Sequence, residues 1–208
     1  MASAGYAVNS DMQENGPWFR QGAHRLVDMH EDPWITADEL LRLNLPGKRT
    51  ELVQGRLVVR EPAGYHHGTV AADLAFRLTS HVVAHDLGRI LAAETGFTLA
   101  RSPDTVRAPD IAFIAKERIP SPPPAGFAEL APDLVVEVLS PDDRPGQILA
   151  KVADWLQAGT LLVWVIDPAR RLARVYRGDG SESSLGPDDA LDGEDVVPGF
   201  RCRLGELV

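Results

Sequence analysis

Glu137 constrains this chain more than any other residue. It lies in Asp133-Leu134-Val135-Val136-Glu137-Val138-Leu139, a short run that is apolar on both sides of the strand period. A strand this apolar on both faces belongs inside a sheet that is covered on both faces. An ionised carboxylate there costs several kcal/mol unless a cation, a proton or hydrogen-bond donors compensate it. Pro109-Asp110-Ile111-Ala112-Phe113-Ile114 repeats the pattern with Asp110. Two acids set in apolar strands point to one shared cation, and hard divalent ions such as Mg²⁺ take such oxygen ligands. The alternative is separate satisfaction of each acid, by backbone donors or by arginines at a strand end.

The pattern around these segments predicts an α/β chain of the α+β kind: a mixed sheet core flanked by helices, with hairpins dominating the first half. Thr36-Ala37-Asp38-Glu39 reads as a capping box opening a short helix that ends at Asn44-Leu45-Pro46-Gly47. Residues 51–59 form two strand-like runs about Gln54-Gly55, a hairpin. Val70, Leu74, Leu78 and Val82 recur at helical spacing within 67–85. Strands are expected over 89–99, 108–115, 161–166 and 172–176, with a proline-rich loop at 119–126. Residues 147–158 form an amphipathic helix stopped by Gly159. On it, Lys151 borders the apolar face beside Trp155, either snorkelling to water or reaching the two acids. Residues 1–30 show no sustained periodicity and read as a flexible arm, leaving 31–208 as the folded domain.

Bulk properties bound the function. At 208 residues with 44% apolar content, the chain can bury one full core. The single cysteine, Cys202, excludes an internal disulfide. The first residues carry no basic-then-apolar leader and no run reaches a membrane span, so the expectation is a cytoplasmic protein with no membrane partner. A G-x-S-x-G elbow, a Walker or dinucleotide glycine pattern and a zinc-type Cys/His spacing are all absent. The net charge of −9 sits poorly with a polyanionic partner, but it is unevenly spread. Residues 40–177 hold seventeen bases and fifteen acids, and the excess acid lies in the two ends. Those ends either stay solvated or fold over a basic cleft.

Taken in order, several segments resemble one family. They are Glu51-Leu52-Val53-Gln54-Gly55, His67-Gly68, Thr95-Gly96-Phe97, Pro109-Asp110, Pro132 through Pro141, Lys151 with Trp155, Ala158-Gly159, and Val163-Trp164-Val165-Ile166-Asp167-Pro168. The ordered set resembles the Uma-two family, a bacterial group in the PD-(D/E)XK nuclease superfamily, over roughly residues 33–208. The resemblance implies a restriction-endonuclease-like fold and a Mg²⁺- or Mn²⁺-dependent endonuclease acting on DNA. Asp110 and Glu137 would be the metal-binding acids. The superfamily places its lysine two residues after the second acid, where this chain has Leu139, and the resemblance assigns that role to Lys151 on the following helix. Glu51 matches an early catalytic acid; otherwise it is a solvent-facing hairpin residue or salt-bridged to Arg49 or Arg56. His67 would touch a substrate phosphate at a helix N-terminus, or else be a surface or cap residue. Glu94 falls on a neighbouring strand with an open role. Cutting both strands of a duplex calls for two sites, which a homodimer would supply. The rival reading is a catalytically inactive nuclease-fold protein, a nucleic-acid-binding or assembly module, favoured by the net charge and the displaced lysine.

Overall fold

A computed structural model describes residues 34–208; the arm expected over 1–30 lies outside them. The chain opens with a helix at Ala37–Arg42 (α1), and Thr36 and Glu39 close a reciprocal capping box on it. A hairpin follows, Arg49–Val53 (β1) and Arg56–Arg60 (β2). Gln54 and Gly55 both take positive φ (48° and 77°), the conformation that a tight two-residue hairpin turn demands. Tyr65–Ala84 (α2) buries Val70, Leu74, Leu78 and Val82, the stripe its spacing predicts.

The stretch expected as one strand over 89–99 is two, Gly88–Ala92 (β3) and Phe97–Ala100 (β4). Glu94 sits in the intervening turn at φ 69°, a left-handed conformation that a strand cannot continue through, so it is a turn residue and not a strand residue. Thr105–Arg107 (β5) is a further strand, ahead of the run expected over 108–115; that run starts later, at Ile111–Ala115 (β6), because Pro109 lacks the N–H a central ladder needs. Next come Leu134–Val138 (β7), Pro145–Gln157 (α3), Leu162–Asp167 (β8) and Leu172–Arg177 (β9). Glu182–Leu185 (β10), Ala190–Asp192 (β11) and Arg201–Arg203 (β12) complete the described chain.

Six strands form the main sheet in the order β10-β9-β8-β7-β6-β3. The β7–β8 pair is parallel and every other pair antiparallel, so the sheet is mixed, as expected. The parallel pair follows from α3, which carries the chain back between them. A second sheet of order β2-β1-β5-β4 holds the hairpin. Alternation along β7 divides its side chains between two cores. Leu134, Val136 and Val138 pack with α2, and Val135 packs with Val152 and Trp155 of α3. Period two puts Glu137 on the α3 side.

The C-terminal segment is not a solvated acidic tail. Leu191, Val197, Phe200, Cys202 and Leu204 enter the α2-side core, and Phe200 stacks on Trp164 at 6.0 Å between ring centroids. Its acids line the surface of a packed hairpin, and the apolar residues between them carry the energy. Phe200→Ala is therefore expected to lower unfolding free energy by about 3–5 kcal/mol. Urea denaturation checks this; a loss below about 1 kcal/mol would place the segment outside the core.

Candidate active site

Asp110 heads β6 and locks it to β7. Its N–H donates to the Val136 carbonyl at 3.1 Å, and its Oδ2 accepts from the Val138 N–H at 2.8 Å. These two bonds straddle Glu137. With Ile111 opposite Val136 in the ladder, the residue before β6 comes level with Glu137. Asp110 Oδ2 also meets Nε2 of His67 at 3.1 Å, and Oδ1 meets Nη1 of Arg49 at a longer 3.4 Å. Burial works against the Asp110 anion, but the bond and charge of His67 and the Val138 donor hold its carboxyl below the usual carboxylate range.

Glu137 is buried and meets α3. The helix sets Lys151 and Trp155 four residues apart on one face, and both reach the same acid. Lys151 Nζ donates to Oε2 at 2.8 Å and Trp155 Nε1 to Oε1 at 2.9 Å. Lys151 does not snorkel to water. Its ammonium also lies 3.0 Å from Glu51 Oε1 and donates to the Ala108 carbonyl at 3.2 Å, so its three protons meet three acceptors. Burial would lower its pKa, yet the charges of Glu137 and Glu51 more than reverse that and hold it charged.

Glu51 comes from β1 in the second sheet. It is buried, and its partners are neither Arg49 nor Arg56. Oε2 accepts from Arg107 Nη1 at 3.0 Å, and Oε1 accepts from the Ala108 N–H at 3.0 Å. Burial raises its pKa, but Lys151 and then Arg107 outweigh it, and the net shift is downward. Arg107 also grips Asp154 of α3 through Nε and Nη2, at 2.9 and 2.6 Å. Glu51, Arg107, Asp154 and Lys151 thus tie the small sheet to α3.

His67 is neither a surface nor a cap residue. It is buried in the first turn of α2 with its ring on Asp110, and adjacent His66 is exposed. Glu94 lines the same cleft from its turn. The cleft has a volume of about 170 Å³, and Arg49, Arg60, Asp110, Glu137 and Lys151 lie along it. Sequence reasoning passed over Arg107 and Asp154, and it offered Arg49 only as an ion-pair partner of Glu51, whereas Arg49 meets Asp110. Arg107, two residues before Pro109-Asp110, carried the available signal: a charged residue in a stretch otherwise bound for the interior.

The charges do not balance around Glu137. Burial, then repulsion by Asp110 and Glu51, outweigh Lys151 and push its carboxyl up to about 7. A hard divalent ion fits this donor set. Mg²⁺ is held through one or two carboxylates and keeps waters and substrate phosphates in its other positions. Asp110 and Glu137 supply two carboxylates, and Glu137 is costly to ionise without a further cation. Among the described residues no group of three His, Cys, Asp or Glu side chains is placed to hold an ion, so such a site would draw on two acids and solvent.

A model of the family described as a putative restriction endonuclease, Uma2, matches residues 37–205. The chain belongs to the Uma2 family. A crystal structure of a putative nuclease of the DUF820 group from Anabaena variabilis ATCC 29413 superposes with a TM-score of 0.73. It is 25% identical, and the match covers 83% of this chain and 97% of that one. The restriction-endonuclease-like α+β fold expected from sequence is thus the fold of this Uma2-family chain. No curated protein matches it. No helix among its described residues is long and apolar enough to cross a membrane.

The raised pKa of Glu137 has a thermodynamic signature. The unfolded chain releases this proton near 4.5 and the folded chain near 7. Between those values the folded state holds more protons, so stability falls as pH rises. The contribution is fully present below the lower value and lost through the upper one. Glu137→Gln removes it. The stability of the wild type relative to Glu137→Gln should be more favourable at pH 4.5 than at pH 7.5, read by chemical denaturation. A difference independent of pH would contradict the assignment.

Proposed function

We propose that this chain is a metal-assisted nuclease that hydrolyses DNA phosphodiester bonds at Asp110, Glu137 and Lys151. Family membership and a nuclease-like fold support nuclease function. The observation that carries the finer reading is that Asp110 lies level with Glu137 at one cleft, beside an acid that is costly to ionise without a further cation. Asp110 and Glu137 would hold Mg²⁺ or Mn²⁺, which supplies polarisation of a phosphoryl oxygen and acidification of a bound water.

The chain's own groups do the rest. Lys151 keeps a positive charge beside the acids, where it would offset the negative charge that develops on the phosphorus oxygens. Glu51 and the Ala108 carbonyl fix that ammonium in place, and Arg107 in turn fixes Glu51, so Glu51 serves as a positioning residue here. Trp155 orients the Glu137 carboxylate and His67 that of Asp110. Two copies of the chain would cut both strands of a duplex.

One observation favours the inactive-module reading: all three Lys151 protons are engaged within the protein. Catalysis then requires Lys151 to trade one partner for substrate. A cleavage assay on single- and double-stranded DNA with Mg²⁺, Mn²⁺ or a chelator separates the two. Metal-dependent cutting is expected, falling at least about hundredfold in Asp110→Ala and in Glu137→Ala. Cutting that survives both substitutions overturns the site. No cutting by the wild type under any condition leaves the non-catalytic module.

A further inference from the structure

The hairpin carries a feature that its own stability does not ask for. Arg49 and Arg60 are directly opposed in the β1–β2 ladder, which puts their side chains on one face. Like charges directly opposite each other destabilise a strand pair. Each arginine makes a one-pronged ion pair, and neither uses both edges of its fork. Arg60 uses Nη1 alone, to Asp143 Oδ1 at 2.9 Å, and Asp143 is itself anchored by the Ser140 N–H at 2.8 Å. Arg49 also uses Nη1 alone, at 3.4 Å from Asp110 Oδ1. The Nε of each is buried without a hydrogen-bond partner among the described residues. Nη1 is the nitrogen remote from Nε–H, so both guanidiniums leave the Nε–Nη2 edge without a protein partner among the described residues, and a ligand reaches the buried Nε only as the fork turns toward the cleft. That edge delivers two parallel N–H donors to an oxyanion.

Both residues line the cleft that holds Asp110, Glu137 and Lys151. A centre built on Glu51, Asp110 and Glu137 repels a polyanion, so the attraction must come from its rim. The neighbouring rim cation Lys48 is already paired with Glu61. We propose that Arg49 and Arg60 form a phosphate subsite, gripping a phosphodiester group next to the one at the acidic centre; its ligand as part of a DNA strand rests on the nuclease reading. The pair binds by charge and two-pronged geometry and reads no bases, so it positions the strand without selecting sequence. Asp143 and Asp110 act as hinges that hold each fork toward the cleft.

Two measurements on the full chain test this. The first is anisotropy titration of a short labelled DNA duplex in chelator over a series of NaCl concentrations, where neither metal nor cutting intervenes. Wild type is compared with Arg49→Gln, Arg60→Gln, the double variant, and Arg89→Gln, an exposed arginine away from the cleft. The double variant should bind about ten- to a hundredfold more weakly. The slope of log affinity against log salt should become shallower by about one, with Arg89→Gln unchanged. The second is thermal unfolding in phosphate against chloride at equal ionic strength. Phosphate should raise the melting temperature of the wild type and not of the double variant. In chloride the two single variants should melt no lower than the wild type, since each relieves a like-charge pair; a purely structural role would lower them.

A wild type that binds duplex, but no more tightly than the double variant does, overturns the subsite and leaves the nuclease reading standing. A wild type that ignores duplex, yet gains stability from phosphate through these arginines, keeps the subsite and removes DNA as the substrate. No difference in either measurement overturns the subsite.

Discussion

The Lys151 ammonium is the junction on which the arrangement depends. It is buried, and it survives as a cation only because Glu137 of the main sheet, Glu51 of the small sheet and the Ala108 carbonyl close around it. Both acids draw on the lysine in turn, Glu137 more than Glu51, which also has Arg107. Removing one partner from such a buried cluster costs about 3–5 kcal/mol, because the remaining charge is stranded. An all-apolar junction would hold the two sheets and α3 together at least as well. The chain carries charge at this point for what the charges do, and packing alone does not explain it.

The bookkeeping around that junction sets its chemistry. Glu51 is matched by Arg107 and a share of Lys151, and Asp110 by His67 and the Val138 N–H. Glu137 is left with the rest of Lys151, a tryptophan N–H and two like charges nearby, so it keeps its proton to near neutral pH. A group that is costly to ionise and sits beside a second acid is poised to exchange a proton for a cation. The same imbalance accounts for the rim of arginines: a negative centre can serve an anionic substrate only if positive charge stands at its entrance.

Much of this could be read from residues alone, and what could not has physical causes. Glu137 and Asp110 stood out because a charge in an apolar strand violates the burial rule, and such violations survive any uncertainty about topology. Helix α2 was legible from four residues at a single spacing, and the β1–β2 turn from Gln54-Gly55. The division of 89–99 was not, because strand propensity carries across a turn when apolar residues flank it, and the short strand β5 lay outside the run expected over 108–115. The C-terminal core residues were masked by the acids between them. Arg107 and Asp154 were missed because their meaning lies in a contact 47 positions apart in sequence, which no local pattern encodes. The Lys151 position was open to two readings from helical spacing, and only the packing of α3 on Glu137 decides where its head points.

The most direct test of the central claim is calorimetric titration of Mn²⁺ into the metal-free protein at pH 6.5, repeated in buffers of different ionisation enthalpy. If Asp110 and Glu137 share a cation, binding should be saturable and accompanied by proton release, since the ion must displace the proton that Glu137 holds. Both the binding and the released proton should disappear in Glu137→Gln. Absence of saturable binding, or binding of equal strength and proton count in Glu137→Gln, would show that these acids serve the fold alone.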